Sequence, residues 1–389
     1  MDSVIQNAFE RNFENSEEKS EDSTQNLPRG AEHVDHKKVE DEFDIDINQA
    51  QIKVVGVGGA GNNTITTLTD MGIDGAETLA LNTDASHLGA SKADKKMLIG
   101  RETTQGLGAG GKPEVGKKSA EESQREIREE LKDSDMVFIT CGLGGGTGTG
   151  ASPVVAEMAK NEDAIVLAAV TMPFKMEGTR IVKAEEGLKK LRQVTDTVIA
   201  IENQKLLNYA GDLPVKQAFA VADELISTMI KGISETITQP SLVNLDYADV
   251  KTIMRDGGVA SIGIGEADSS SRAEEATEKA MNHPLLDMEY EGADGAIIQV
   301  IGGEDLKLDE INEIGEAISK QLDPQAQVIW GARVVPGYDG SMQVIAIITG
   351  VKSPYILGPR KKDETSSKNP ESQKNGGVTD ELGIRMLNR

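Results

Sequence analysis

Short apolar runs and amphipathic stretches alternate along the middle of this chain. "IKVVGVG", "ETLALNTD", "DMVFITCGL", "DAIVLAAVTM" and "DTVIAIEN" are brief, rich in β-branched and aliphatic residues, and bounded by Gly, Asp or Asn. That pattern predicts strands. Helical spacing fills the intervals, as in "SAEESQREIREELKDS". Alternation of this kind over residues 49 to about 200 predicts βαβ units, that is, a parallel sheet with helices on both faces. From Lys216 to Ile237 the apolar positions Phe219, Ala222, Leu225, Ile226, Met229, Ile230 and Ile233 recur at helical spacing and predict one long amphipathic helix. Beyond about residue 250, "SIGIGEA", "GAIIQVIGG", "QVIWGARVV" and "MQVIAIITGV" read as strands, with "SSSRAEEATEKAMNH" and "KLDEINEIGEAISKQL" as helices. Fewer helices per strand predict a smaller mixed-sheet α+β domain.

The ends have a different texture. Residues 1–48 hold 14 Asp or Glu against 5 Lys or Arg, too polar a stretch to bury a core, so an extended acidic tail is expected there. Residues 353–378 read as a linker. Residues 379–389 restore a small apolar cluster, Leu382, Ile384, Met386 and Leu387, which reads either as a frayed end or as a docking peptide on a leash. The whole chain has 389 residues and a net charge of -24, which disfavours phosphate-backbone or anionic-lipid partners. One cysteine, Cys141, permits no internal disulfide, and four dispersed histidines make no zinc pattern. No leader-like or membrane-spanning apolar run is evident, so a cytoplasmic protein is expected.

Chemistry is concentrated in glycine-rich turns. "KVVGVGGAGNN" runs from a strand through Gly56-x-Gly58-x-x-Gly61 into a helix. That meets the dinucleotide fingerprint but equally suits another phosphate. "GLGGGTGTGASP" at residues 142–153 follows a second strand and brings free backbone N–H groups, two threonine hydroxyls and a helix dipole to one place, with Pro153 expected in the first helical turn. A third segment, "GLGAGGKP" at 106–113, approaches a P-loop but lacks its Ser or Thr and follows no strand. A nicotinamide site needs one such turn, whereas this chain has two on strands of the same sheet.

With these motifs assembled, the chain resembles the FtsZ family, tubulin-like prokaryotic cell-division GTPases, and among them looks most like the archaeal ones. The resemblance spans roughly residues 50–352 through "GVGGAGNN", "NTD", "GLGAGGKP", "GGGTGTGASPVVA", "MPF…EG", "ADELI" and "NLDYADV" in the family's order. It implies a Rossmann-like α/β GTPase domain (49–215) joined by a central helix (216–240) to a smaller mixed-sheet α+β domain (241–352). It further implies GTP or GDP as ligand, with Mg²⁺ on the phosphates rather than on direct protein ligands. Gly58, Gly59, Ala60, Gly61 and Asn62 resemble the first phosphate loop; Asn82, Thr83 and Asp84 the second; Ala109, Gly110 and Gly111 the third, beside the γ-phosphate. Gly144, Gly145, Gly146, Thr147, Gly148 and Thr149 are the signature loop.

Pro173, Glu177 and Arg180 are implied near ribose and phosphates, although "EGTR" places Arg180 three residues after Glu177 where the family pattern has four. Asn203, Phe219 and Asp223 resemble the base-reading set. A carboxylate can accept from guanine N1–H and its exocyclic amine together, and adenine offers no such pair. By spacing alone Phe219 could equally be a core residue. Asn244, Asp246 and Asp249 resemble the family's catalytic loop, which enters the nucleotide pocket of the next subunit. The implied protein is a head-to-tail homopolymer scaffolding a midcell division ring through a membrane adaptor. A cell-shape relative and a nicotinamide oxidoreductase are the alternatives.

Overall fold

The computed structural model describes residues 50–239, 241–243, 245–255, 257–282 and 290–351. The tails, with the expected docking peptide, and Asn244 lie outside them. In chain order the first half contains β1 (Ile52–Val57), α1 (Gly58–Met71), β2 (Ala76–Asn82), α2 (Ala85–Ala90), β3 (Lys95–Leu98), α3 (Arg101–Thr104), α4 (Pro113–Glu122), α5 (Gln124–Leu131), β4 (Met136–Gly142), α6 (Thr147–Asn161), β5 (Ile165–Met172), α7 (Thr179–Val194) and β6 (Thr197–Glu202). It continues through α8 (Asn203–Ala210), α9 (Val215–Thr238), α10 (Tyr247–Met254), β7 (Gly258–Ala267), α11 (Arg272–Met281), β8 (Gly295–Gly302), α12 (Leu308–Ser319), β9 (Gln327–Val334) and β10 (Met342–Thr349).

Strand order is β3-β2-β1-β4-β5-β6-β7-β10-β8-β9. The first six strands are parallel and have the doubly wound order of a dinucleotide-type sheet. Helices cover both faces, so all of these strands but the edge strand β3 are apolar almost throughout, and alternate residues feed two cores. In β4, Val137, Ile139 and Cys141 enter one core while Met136 and Phe138 enter the other. The predicted second domain is continuous with the first: β6 and β7 pair in parallel at Thr197↔Gly258 and Val198↔Val259. Beyond β7 the sheet turns antiparallel at β10.

The long helix α9 matches the predicted stripe and braces both halves. Its Ser227 hydroxyl donates to the Thr64 carbonyl of α1 (3.2 Å), and further along Gly232 abuts Ile345 of β10. Three features differ from the sequence reading. Strand β3, "KKML", is an edge strand whose lysines conceal it. The stretch read as one helix from Ser119 is broken at Ser123, whose Oγ accepts the Gly100 N–H (3.1 Å), while the neighbouring Glu122 carboxylate holds the N–H groups of Glu102 and Thr103 (2.9 and 3.0 Å). Helix α6 starts at Thr147, so Pro153 sits inside it rather than in its first turn. The glycines allow that early start by letting α4 lie against the helix: a Cβ on Gly150 would stand 1.8 Å from the Pro113 carbonyl oxygen.

Backbone proximity at the β1–α1 turn gives a direct test. A Cβ on Gly61 would lie 2.2 Å from the Thr140 carbonyl oxygen of β4, where only a backbone shift could relieve it. Gly61→Ala is therefore expected to lower stability by about 1–3 kcal/mol in denaturant melts. Gly315→Ala, in α12 with open space around its Cβ, is expected to raise it by roughly 0.5–1 kcal/mol.

Candidate functional site: a nucleotide cleft at the sheet switch point

Strands β1 and β4 are neighbours, and the chain leaves them in opposite directions, to β2 on one side and β5 on the other. Such a switch point opens a crevice beyond the carboxyl ends of the strands. Helices α1 and α6 both begin there. Their first N–H groups have no partner within the helix and carry the positive end of the dipole. Gly58 makes the convergence possible: its φ is 74°, and a Cβ would fall 2.9 Å from the Gly148 nitrogen. Two helix N-termini thus meet almost backbone to backbone, a cradle for an anion.

Around them lies a cavity of about 650 Å³. Gly59 and Ala60, the run Gly145 to Gly148, Pro173, Glu177, Arg180, Asn203 and Phe219 all line it. Phe219 is 41% exposed and meets Phe174 edge to face with centroids 5.8 Å apart, so it lines the cleft rather than the core. The Asn203 Oδ1 is buried with no partner among the described residues, an acceptor left for a ligand. Asp223 lies one turn along α9 from Phe219 and accepts from the Thr64 hydroxyl (2.8 Å). Burial pushes its carboxyl up to about 7, with the Thr64 bond opposing.

The remaining site positions build the frame. Asn62 is fully buried; its amide, oriented by its network, donates to the Gly56 and Gly58 carbonyls (2.9 and 3.1 Å) and accepts from Asn82 (3.2 Å). The hydroxyls of Thr83 and Thr147 are 2.7 Å apart, which ties the second loop to the signature loop. Thr149 is buried and accepts the Gly144 N–H (2.8 Å) inside its own loop. Asp84 caps α2 by accepting the His87 N–H (3.0 Å). Ala109 packs beside Gly146, and Gly110 and Gly111 follow in an open turn. Glu177 accepts the Phe174 N–H (2.9 Å) and pairs with Arg180, so the short spacing is accommodated as an ion pair at the cleft wall. Lys183, which no motif marked, donates to the Gly111 carbonyl (2.8 Å).

The candidate catalytic carboxylates are far from this cleft. Asp246 is exposed and caps α10 by accepting the Asp249 N–H (2.8 Å). The Tyr247 hydroxyl of the same helix donates to the Asp135 carbonyl (2.8 Å), at the amino end of β4, while the cleft lies beyond the carboxyl end. Along α9, the fifteen-residue step from Asp223 to Thr238 spans roughly 22 Å at the helical rise.

Comparison with known proteins decides the lineage. The "Tubulin/FtsZ family, GTPase domain" profile matches residues 51–211, and the "FtsZ family, C-terminal domain" profile matches 258–352. "Cell division protein FtsZ 2" of Methanocaldococcus jannaschii is 55% identical over 327 residues, covering 83% of this chain and 85% of the relative. "Cell division protein FtsZ 1" of Pyrococcus abyssi is 50% identical over 364 residues, 93% and 95% of the two chains. The chain belongs to the FtsZ family. A solved "FtsZ dimer, empty" from M. jannaschii superposes with TM-score 0.76 at 48% identity, covering 87% of this chain and 100% of that one. CetZ2 from Haloferax volcanii, at 23% identity and TM-score 0.68 over 77% and 93% of the chains, shares the fold. FtsZ membership makes the first half a GTPase domain and displaces the nicotinamide alternative.

Asp223 gives a pH test of base recognition. With Asp223 as the guanine partner, the base donors would favour the ionised carboxylate, and nucleotide binding would have to expel the proton held in the free protein. GDP affinity is expected to hold above pH 7 and to fall below it by up to about tenfold per unit, the limit for release of one proton. Asp223→Asn should bind more weakly with no such slope. A flat wild-type titration from pH 8 to 6 would remove Asp223 from the base site.

Proposed function

We propose that this FtsZ-family chain, a GTP-dependent filament-forming cell-division protein, binds GTP in the β1–β4 cleft and completes its hydrolytic site only when a second copy docks head to tail. The observation that carries this reading is the separation of the parts. The anion cradle, Phe219 and Asp223 stand at one pole, and Asp246 and Asp249 at the other. No side chain spans that distance within one protomer, but stacking a second copy would bring its carboxylates over the first copy's phosphates. Such a contact joins two different surfaces, does not close on itself, and grows a filament. The self-association of the M. jannaschii FtsZ dimer supports it.

The chemistry suits this division. Phosphoryl transfer depends on positioning and charge stabilisation more than on covalent participation. The N-termini of α1 and α6 would hold the phosphates, the Asn203 Oδ1 would accept from the ribose or base, and Phe219 would stack on guanine. Asp246 and Asp249 of the neighbour would orient the attacking water, with Asn244 beside them. Mg²⁺ would be held chiefly by phosphate oxygens and water, with Asp84, a cap of α2, and Asn82, in the loop network, as the nearby oxygen donors of the second loop. Bound there, it would supply charge neutralisation. Loss of the γ-phosphate would weaken the contact and let filaments turn over. In the cell the polymer would mark the midcell ring, linked to the membrane by an adaptor that grips Leu382, Ile384, Met386 and Leu387. Among the described residues no helix is long and apolar enough to cross a membrane.

GTP turnover per protomer should rise from near zero above a threshold protein concentration. Asp249→Ala should still bind GTP and assemble, yet lose about 10²-fold or more in turnover, the range of general acid–base groups. Concentration-independent specific activity would make the site self-contained.

A further inference from the structure

The turn beside the signature loop is fastened by a side chain outside every motif. Ala109–Lys112 is a reverse turn closed by the Lys112 N–H on the Ala109 carbonyl (3.1 Å). Its central residues, Gly110 and Gly111, have φ of 57° and 70°, the positive pair of a type I′ turn. The tip stands open, since a Cβ on either glycine would meet nothing within 4 Å. It is anchored on two sides. Toward the cleft, a Cβ on Gly146 would meet the Ala109 Cβ at 2.8 Å and the Gly111 nitrogen at 3.2 Å, so the Gly111 amide lies against the signature loop. Away from it, Lys183 of α7 donates to the Gly111 carbonyl at 2.8 Å, a link across 72 residues of sequence.

The carbonyl that Lys183 holds shares its peptide plane with the Lys112 N–H that closes the turn. One ammonium therefore holds the peptide plane whose N–H closes the turn, and through that closure it steadies the turn that carries the two glycine amides. Phe219 lines the cleft, with Asp223 one turn along α9. On the reading of the cleft as a GTP site, a phosphate chain running across the N-termini of α1 and α6 would bring its last phosphate toward this turn, which packs against Gly146 of the signature loop.

We propose that Lys183 is a positioning residue. Its grip on the Gly111 carbonyl keeps the Gly110 and Gly111 amides presented to a terminal phosphate, and the preference for nucleoside triphosphate over diphosphate depends on that grip. This rests on reading the cleft as the GTP site.

The test is to measure dissociation constants of the full chain for GTPγS and GDP, below the assembly threshold. Wild type, Lys183→Met, Lys183→Arg and Lys190→Met are compared, with amide hydrogen exchange across the turn in the nucleotide-free state. Lys183→Met should weaken GTPγS about five- to tenfold, the scale of one charge-assisted hydrogen bond. GDP binding should change less than about twofold on the same reasoning. Exchange at Lys112 should quicken. Lys183→Arg should restore most of the ratio because it still donates to a carbonyl. Lys190→Met removes the same charge from an exposed position on α7 and should leave the ratio unchanged. An unaltered GTPγS-to-GDP ratio in Lys183→Met, or an equal shift in Lys190→Met, would overturn the proposal. A wild type that binds neither nucleotide would instead overturn the reading of the cleft on which it stands.

Discussion

Everything in this molecule depends on two helix N-termini brought nearly into contact. Helices α1 and α6 start from adjacent strands at the point where the chain winds away in both directions. Ordinary side chains would hold them apart. Gly58 against Gly148 and Gly61 against Thr140 remove that obstacle, and buried Asn62 locks the geometry through backbone carbonyls. Each helix end contributes unpaired N–H groups and about half a positive charge. In a chain of net charge -24 this backbone cradle is a means of attracting a polyphosphate that does not rely on surface lysines. Its rigidity comes from the layers around it, since the strands beneath are buried on both faces and helices cover each side.

The second constraint is distance. A single continuous sheet with α9 running across it fixes the cleft and the Asp246–Asp249 turn at opposite poles. The two poles would serve one reaction only through a neighbour. Assembly and hydrolysis then share a requirement, and the same contact that lengthens a filament would start the chemistry that limits its life.

Much of this was legible in the sequence because the signals were physical. Apolar runs of strand length gave β1, β2, β4, β5 and β6, and the stripe from Phe219 to Ile233 gave α9 within a residue or two at each end. The glycine loops announced themselves because few other residues tolerate such close approach. What escaped depended on tertiary contacts. The lysines of β3 hid an edge strand, and the break at Ser123 follows from a bond to Gly100 that no local pattern encodes. Spacing could not decide whether Phe219 was core or surface; its 41% exposure does. Pro153 suggested a later helix start than Gly150 and Pro113 permit. Lys183 had no signal at all, because its partner is a main-chain carbonyl 72 residues away.

The most direct test of the shared site is to mix two inactive variants. Asp223→Arg should disable the cleft and leave the Asp246–Asp249 pole intact; Asp249→Ala should do the reverse. If the site is built from two protomers, the mixture hydrolyses GTP although neither variant does alone. The rate peaks near equal proportions and follows the intact cleft of one variant meeting the intact pole of the other. If the mixture shows only the sum of its inactive parts across all proportions while both variants remain folded, the carboxylates do not act across the contact, and the account is wrong.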